Sequence, residues 1–349
     1  MLDLEHARMV AAGALDDRPV FVPWTQRSLY VEVTNRCNSL CVHCPRTFNG
    51  LHWDRDLTIA EFVAVTDQLP DLERIVLHGL GEPLLNPQLF EMIALLKARG
   101  VRVVFNSNAI ALSARLRQRV VQSGLDEYRV SFDAATPETY AKIRGVPGFG
   151  KAVHNVRALL ALKQSLGATT PHVSLWFVTI RENVQELADF VRLAAEIGAP
   201  EIHIQRLVYF GEGLAVEEQS LFHRLADEEQ RQIDLAEQIA ADFGVVLSAS
   251  GNEPAADSLS SRPALAAHPW WTCRRPWQLS YVTAEGEVLA CCFVPFVTNG
   301  NWKDQVLGNV REQSLAEIWN GDRYQAFRRQ FLSDRPPAIC AGCGSKWSV

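Results

Sequence analysis

Between positions 29 and 207 the chain alternates short apolar runs with amphipathic stretches. LYVEVT (29–34) has the β-branched content and two-residue alternation of a strand, and LTIAEFVAVTDQL (57–69) has the spacing of a helix with one apolar face. RIVLHG (74–79) is the second expected strand. Asn86 is expected to cap the next helix, with Pro87 at its first position and Gly100 ending it. VRVVFN (101–106), EYRVSF (127–132), HVSLWFV (172–178) and EIHIQRL (201–207) are the third to sixth strands. The intervening helices end near Gly124, cover about 150–166, and cover about 184–197 before Gly198. Six strands alternating with helices predict a parallel sheet of right-handed crossover units.

The pattern changes after 207. A long charged helix is expected over about 217–243, followed by the apolar run VVLSAS (245–250). Residues 251–270, rich in Ser, Pro and Ala, read as a linker. The remainder, 271–349, predicts a hairpin at YVTAEGEVLAC (281–291), a helix at SLAEIWNGDRYQAFRRQFL (314–332) and an irregular tail. Too little of it is regular for an independent apolar core, so a metal cluster is expected to supply the missing stability. The expected organisation is an extension (1–28), a barrel unit (29–250), the linker and a small C-terminal unit.

Composition narrows the function. Of 349 residues, 48% are hydrophobic and 21% charged, enough to bury a sizeable core, and the nine tryptophans fit packing roles. Net charge is −6 with both signs mixed along the chain, so no basic stripe marks a nucleic-acid partner. No apolar run approaches the roughly 18 residues of a membrane helix. The start, MLDLEHARMV, lacks the apolar stretch of a signal peptide, so a cytoplasmic, reducing location is expected. Eight cysteines then need a reason other than disulfides. Three stand at 37, 41 and 44 and five at 273, 291, 292, 340 and 343, which implies two metal sites.

Cys37, Cys41 and Cys44 form C-x3-C-x2-C in the loop after the first strand, where α/β folds place their sites. Three thiolates leave one iron of a four-iron cluster open for a ligand. A zinc site completed by His43 is the alternative. In the second group Cys273, Cys291, Cys340 and Cys343 supply four thiolates, sufficient to close a [4Fe-4S] cluster completely. A four-cysteine zinc knuckle competes, although only one C-x2-C pair is present.

With these motifs the sequence resembles the radical S-adenosylmethionine (SAM) superfamily over about 29–349. The resemblance rests on the three-cysteine motif, Gly81-Glu82-Pro83 after the second strand, FNSNA (105–109) with Asn108, and VSFDAATPETYAKIRG (130–145). It implies a partial (β/α)6 TIM-like barrel, an α/β fold, with a small C-terminal iron-sulfur unit of the twitch or half-SPASM kind. It implies two [4Fe-4S] clusters and SAM as cofactors, with an electron donor such as flavodoxin or ferredoxin as partner. SAM chelates the open iron, and an electron from the reduced cluster releases a 5'-deoxyadenosyl radical that abstracts hydrogen. The Gly81–Pro83 segment is expected to hold the SAM amino group, Ser131 and Asp133 its ribose or carboxylate, and Arg144 a carboxylate. Cys291 fits the Gly-x4-Cys spacing from Gly286, with Cys292 the possible substitute.

Three functional readings remain, the first two implied by the resemblance. One is oxidation of a small molecule, as in 2-deoxy-scyllo-inosamine dehydrogenase, with the auxiliary cluster accepting an electron; the short stretch before the first strand favours it. The second is peptide or protein maturation, as in sulfatase-maturating enzymes. The third is a non-catalytic iron-sulfur or zinc protein. His78, His203, Arg206 and Tyr209 are candidate catalytic residues by position on the second and sixth strands.

Overall fold

The computed structural model describes residues 18–48, 54–251, 254–259 and 268–344. Seven parallel strands form the barrel unit: β1 (Ser28–Val31), β2 (Arg74–Leu77), β3 (Arg102–Ser107), β4 (Glu127–Ser131), β5 (His172–Thr179), β6 (Glu201–Arg206) and β7 (Val246–Ala249). Helices between them cover the outer face, with local sequence setting where they start. Thr58 and Glu61 form a reciprocal capping box on the helix Ile59–Thr66, and Thr136 caps Pro137–Arg144. Buried side chains from both sheet faces and the helices make one continuous core.

The sheet does not stop at β1. The C-terminal strand β8 (Leu279–Val282) lies parallel to β1, Leu29 opposite Ser280 and Val31 opposite Val282, and carries the antiparallel β9 (Glu287–Leu289) and β10 (Gly308–Asn309). The order is β10-β9-β8-β1-β2-β3-β4-β5-β6-β7, so the barrel seam lies between β7 and the C-terminal region. Glu32 fastens this junction. Its buried carboxylate accepts from the Leu80 amide (2.7 Å), the Ala284 amide (3.2 Å) and the Tyr281 hydroxyl (3.1 Å). The segment before β1 also crosses the C-terminal region: Arg18 donates to the Trp271 and Cys273 carbonyls, and Val22 and Asn320 exchange two hydrogen bonds.

Several expectations need correction. The helix expected from 217 begins at Asp227, because 217–226 forms a short turn and an extended stretch, with Ser220 bridged to Ile180 beside β5. Asn86 does not start the next helix, which opens at Leu89. Its side chain instead donates to the Val33 and Leu57 carbonyls and accepts from the Gln88 amide. The expected helix over 314–332 is two, Leu315–Trp319 and Asp322–Phe331, broken where Asn320 turns its amide to Val22. The apolar run at 245–250 is a seventh parallel strand. Much of the linker lies outside the described residues, and within it Ala255–Leu259 is helical. The C-terminal region is not short of apolar packing: Trp271, Tyr281, Trp319, Tyr324 and Phe331 are buried in the same core as the barrel. Among the described residues no helix is long and apolar enough to cross a membrane.

Candidate functional site

The loop bearing the first cysteines leaves β1 and is pinned to the end of the helix Pro137–Arg144. The Leu40 and Val42 amides donate to the carbonyls of Arg144 (3.1 Å) and Ile143 (2.9 Å). Gly145 ends that helix with φ 69°, and a Cβ there would lie 2.1 Å from the Leu40 carbonyl oxygen, so only glycine permits this approach. Pro45–Phe48 turns helical directly after Cys44, and Thr47 Oγ1 donates to the Cys41 carbonyl. Cys37, Cys41 and Cys44 thereby line one cavity of ≈ 160 Å3, together with Gly81, Glu82, Asn108, Ser131, Asp133, Arg144 and His78. Pro83 is buried at the start of the turn Pro83–Leu85 behind it.

Glu82, Asn108 and Asp133 are each held by several partners. Glu82 Oε2 accepts from the Asn108 amide (2.7 Å) and Oε1 from the Leu84 amide (3.1 Å), which locks the turn after β2 to the end of β3. Burial raises its pKa, and the amides oppose this. Gly81 lies against the cysteine loop, and a Cβ would fall 2.1 Å from the Thr34 carbonyl oxygen. Asn108 reaches back to the same loop, with its side-chain amide 2.7 Å from Asn38 Oδ1 and 3.9 Å from Cys37 Sγ. Asp133, a non-glycine residue at φ 64°, accepts from Arg144 (2.8 Å) and the Val178 amide (2.8 Å), and His43 Nε2 stands 3.5 Å away. Burial lowers the His43 pKa, so the ring beside the thiols is neutral at pH 7. As free thiols, Cys41 and Cys44 are pushed up by burial to about 11 and about 12, so a metal binding there would have to displace their protons.

Of the catalytic candidates, two face the barrel interior. His78 and His203 line a second cavity of ≈ 360 Å3 that adjoins the first and reaches the seam, where Ser250, Arg275, Cys292 and Phe293 border it. Burial and the charge of Arg129 push both histidines down to about 4, leaving them neutral. His203 stacks on Trp176 with ring centres 4.1 Å apart. Its Nδ1 is 2.9 Å from Ser248 Oγ, which donates to Glu201 Oε1 (2.9 Å); Glu201 Oε2 is 2.7 Å from the exposed His172. This is a continuous polar chain from cavity to surface. Arg206 borders a smaller cavity with its guanidinium 4.2 Å from the Phe222 ring and its Nε donating to the Ser258 carbonyl. Tyr209 packs beside Ile143, Ile180 and Leu207 and is not among the residues bordering these cavities.

Sequence reading missed Glu32, Trp176, Gln205 and Phe296, the last three of which line the first cavity. A glutamate inside the apolar strand LYVEVT was a usable signal for Glu32. Nothing local marks Gln205 or Phe296.

The second group converges from three separate segments. Cys273, Cys291, Cys340 and Cys343 border one cavity of only ≈ 20 Å3, walled by Phe293, Phe327, Phe331 and Ile339. Cys292 is turned away into the barrel cavities. Among the described residues no three Cys, His, Asp or Glu side chains come close enough to hold a single metal ion. Three thiols line one space and four another, the ligand numbers of a [4Fe-4S] cluster with one open iron and of a fully ligated one.

Residues 31–204 match the radical SAM superfamily and residues 273–344 the SPASM iron-sulfur cluster-binding domain. The chain is 26% identical over 329 residues to the PqqA peptide cyclase of Gluconobacter oxydans, covering 93% of this chain and 84% of the relative. It is 25% identical over 341 residues to an AdoMet-dependent heme synthase of Methanosarcina barkeri (95% and 89% covered). It is 27% identical over 330 residues to the mycofactocin maturase MftC of Mycobacterium ulcerans (94% and 81%). The fold is that of Streptococcus suis SuiB bound to S-adenosylmethionine, with TM-score 0.66 at 12% identity over 90% of this chain and 77% of SuiB. The chain belongs to the radical SAM superfamily, carries a C-terminal SPASM domain, and takes S-adenosylmethionine and [4Fe-4S] clusters as its cofactors.

Proposed function

We propose that this radical SAM enzyme modifies a peptide, with Cys37, Cys41 and Cys44 holding the cluster that binds SAM and Cys273, Cys291, Cys340 and Cys343 holding an auxiliary cluster. The observation that carries the reading is the division of seven thiols into a set of three beside a polar cavity and a set of four in a closed apolar one. When bound, the first cluster and SAM supply hydrogen abstraction from unactivated carbon. Asn108 and Glu82 keep the cysteine loop and the Gly81–Pro83 turn in register, and Arg144, anchored by Asp133, offers a cation to the SAM carboxylate. Ser131 is the candidate hydroxyl for the ribose. His203 takes the substrate proton at Nε2, with Nδ1 directed to Ser248 and Glu201 and so toward the surface. A peptide substrate is supported by the peptide cyclase and the mycofactocin maturase, which align with 93% and 94% of this chain.

The test is anaerobic reconstitution followed by SAM cleavage and mass spectrometry of short peptides encoded beside the gene. A peptide that changes mass only with SAM and reductant supports the proposal; SAM cleavage with no peptide changed, across the encoded candidates, counts against it. Oxidation of a small molecule is the second reading, favoured by the heme synthase relative. Under it the change of mass falls on a non-peptide substrate in the same assay.

A further inference from the structure

Arg275 and Phe293 border both the cavity ringed by four cysteines and the barrel cavity at the seam, and of the two only Arg275 carries a charge. It follows Cys273 by two positions and opens the short helix Arg275–Gln278. Its guanidinium lies 4.3 Å from the centre of the Phe293 ring, which holds it in place through a cation–π contact. Every other buried or half-buried arginine near a site in this chain has an anion or carbonyl to answer it: Arg144 has Asp133, Arg129 has Glu127, and Arg206 has the Ser258 carbonyl. Among the described residues Arg275 makes no ion pair with a carboxylate. The acidic groups acting on it are the thiols of Cys292, Cys273 and Cys291 and the Tyr30 phenol, which are anionic only once deprotonated, as iron would make Cys273 and Cys291. Arg18 also comes near through the Trp271 and Cys273 carbonyls, but its influence on the Cys273 thiol is smaller than that of Arg275. The Arg275 backbone amide donates to the same sulfur.

A half-buried cation with no carboxylate to cancel it favours whichever state of its neighbour is more negative. Four thiolates around a [4Fe-4S] cluster give a net anion that gains one further negative charge on reduction, and cluster potential follows net charge, hydrogen bonds to sulfur and exposure. The surroundings are apolar, with Phe293, Phe327, Phe331 and Ile339 as the wall, so little solvent screens the interaction. We infer that Arg275 is a positioning residue for electron transfer: its fixed charge raises the reduction potential of the auxiliary cluster on the side that faces the substrate cavity. A substrate radical in the barrel cavity, left by hydrogen abstraction, would lose one electron and a proton as it is oxidised; the cluster would take that electron, and the guanidinium would favour the reduced state. The inference rests on the reading that Cys273, Cys291, Cys340 and Cys343 ligate the cluster.

The experiment is an EPR-monitored redox titration of the full-length, anaerobically reconstituted protein in which Cys37, Cys41 and Cys44 are all alanine, so that any remaining cluster is the auxiliary one. Arg275→Gln in that background is expected to shift the reduction equilibrium at least tenfold toward the oxidised state, about 59 mV for one electron. Arg275→Lys, which keeps the charge, restores most of the shift. Arg275→Met keeps the apolar stem on Phe293 and carries the same test should the glutamine variant take up no iron. An unchanged midpoint in either neutral variant overturns the inference while leaving the ligand assignment intact. A lysine variant as low as the neutral ones overturns the role of charge. A triple-alanine parent that holds no cluster overturns the ligand assignment itself, and the inference with it.

Discussion

The two cysteine groups sit in opposite environments. The first lies on one loop at the carboxyl ends of parallel strands, beside a cavity of ≈ 160 Å3 bordered by Glu82, Asn108, Ser131, Asp133 and Arg144. The second is gathered from three segments up to 70 residues apart around ≈ 20 Å3 of apolar space. Room and polar groups beside three thiols suit a site where a cofactor binds and reacts. Closure by four thiols and aromatic walls suits a site that passes electrons and keeps substrate out. The contrast teaches that a cluster's role is set by what surrounds the thiolates, since the ligand type is the same in both.

The largest effect comes from removing one site at a time. Cys37, Cys41 and Cys44 changed together to alanine should abolish 5'-deoxyadenosine formation and leave about four of about eight irons. Cys340→Ala with Cys343→Ala should also lose about four irons yet retain SAM cleavage. Iron analysis and chromatography of the nucleoside products read both, and equal loss of cleavage in the two variants would erase the contrast. Next, Cys291→Ala should lose the auxiliary cluster whereas Cys292→Ala keeps it, since Cys292 borders the barrel cavity instead. Reversed iron counts would exchange their roles.

The junction between the two regions is sharpened by Glu32→Gln. The Leu80 and Ala284 amides and the Tyr281 hydroxyl share this carboxylate, and an amide oxygen replaces only part of that acceptor set. A loss of about 2–3 kcal/mol in denaturant unfolding is expected. A change below about 0.5 kcal/mol would show that β8 holds to β1 without it. Glu82→Gln is a smaller perturbation, which keeps the iron and weakens SAM binding about tenfold, as about 1.4 kcal/mol of hydrogen bonding to the Asn108 and Leu84 amides is lost. Calorimetry with unchanged affinity would reduce the turn to scaffolding.

The gentlest probe is pH. His78 and His203 sit at about 4 in the fold against an ordinary 6.5. The unfolded chain therefore binds protons first as pH falls, and stability drops between about 6.5 and 4, by at most about 1.4 kcal/mol per pH unit for each histidine. Above 6.5 the two contribute no slope. His203→Gln should flatten this decline in denaturation midpoints taken at pH 7.5 and 5.5, and an unaltered slope would mean that the ring is already hydrated in the fold.

The alternating pattern made six of the seven barrel strands legible, because burying one strand face under the helices sets a two-residue apolar period within each strand, as in β1, β4 and β6. The cysteine spacing and the residues Gly81, Glu82, Asn108, Asp133 and Arg144 were legible for a related reason: each stands just beyond a strand end or on the helix that follows, so local order fixes its place. Boundaries governed by distant partners were not. Asn86 has the side chain of a helix cap, yet the carbonyls of Val33 and Leu57 claimed it. Asn320 broke a helix because Val22, some 298 residues away, offered two hydrogen bonds. The sequence by itself determined the strand-and-helix alternation, the two thiol groups and the polar residues that accompany the first. Only the tertiary structure decided that β8 joins β1, that Cys292, beside the expected Cys291, turns toward the barrel, and that Arg275 stands between two cavities. These depend on pairings and side-chain directions across hundreds of residues, where neighbouring cysteines or arginines are chemically alike and only the packed backbone tells them apart.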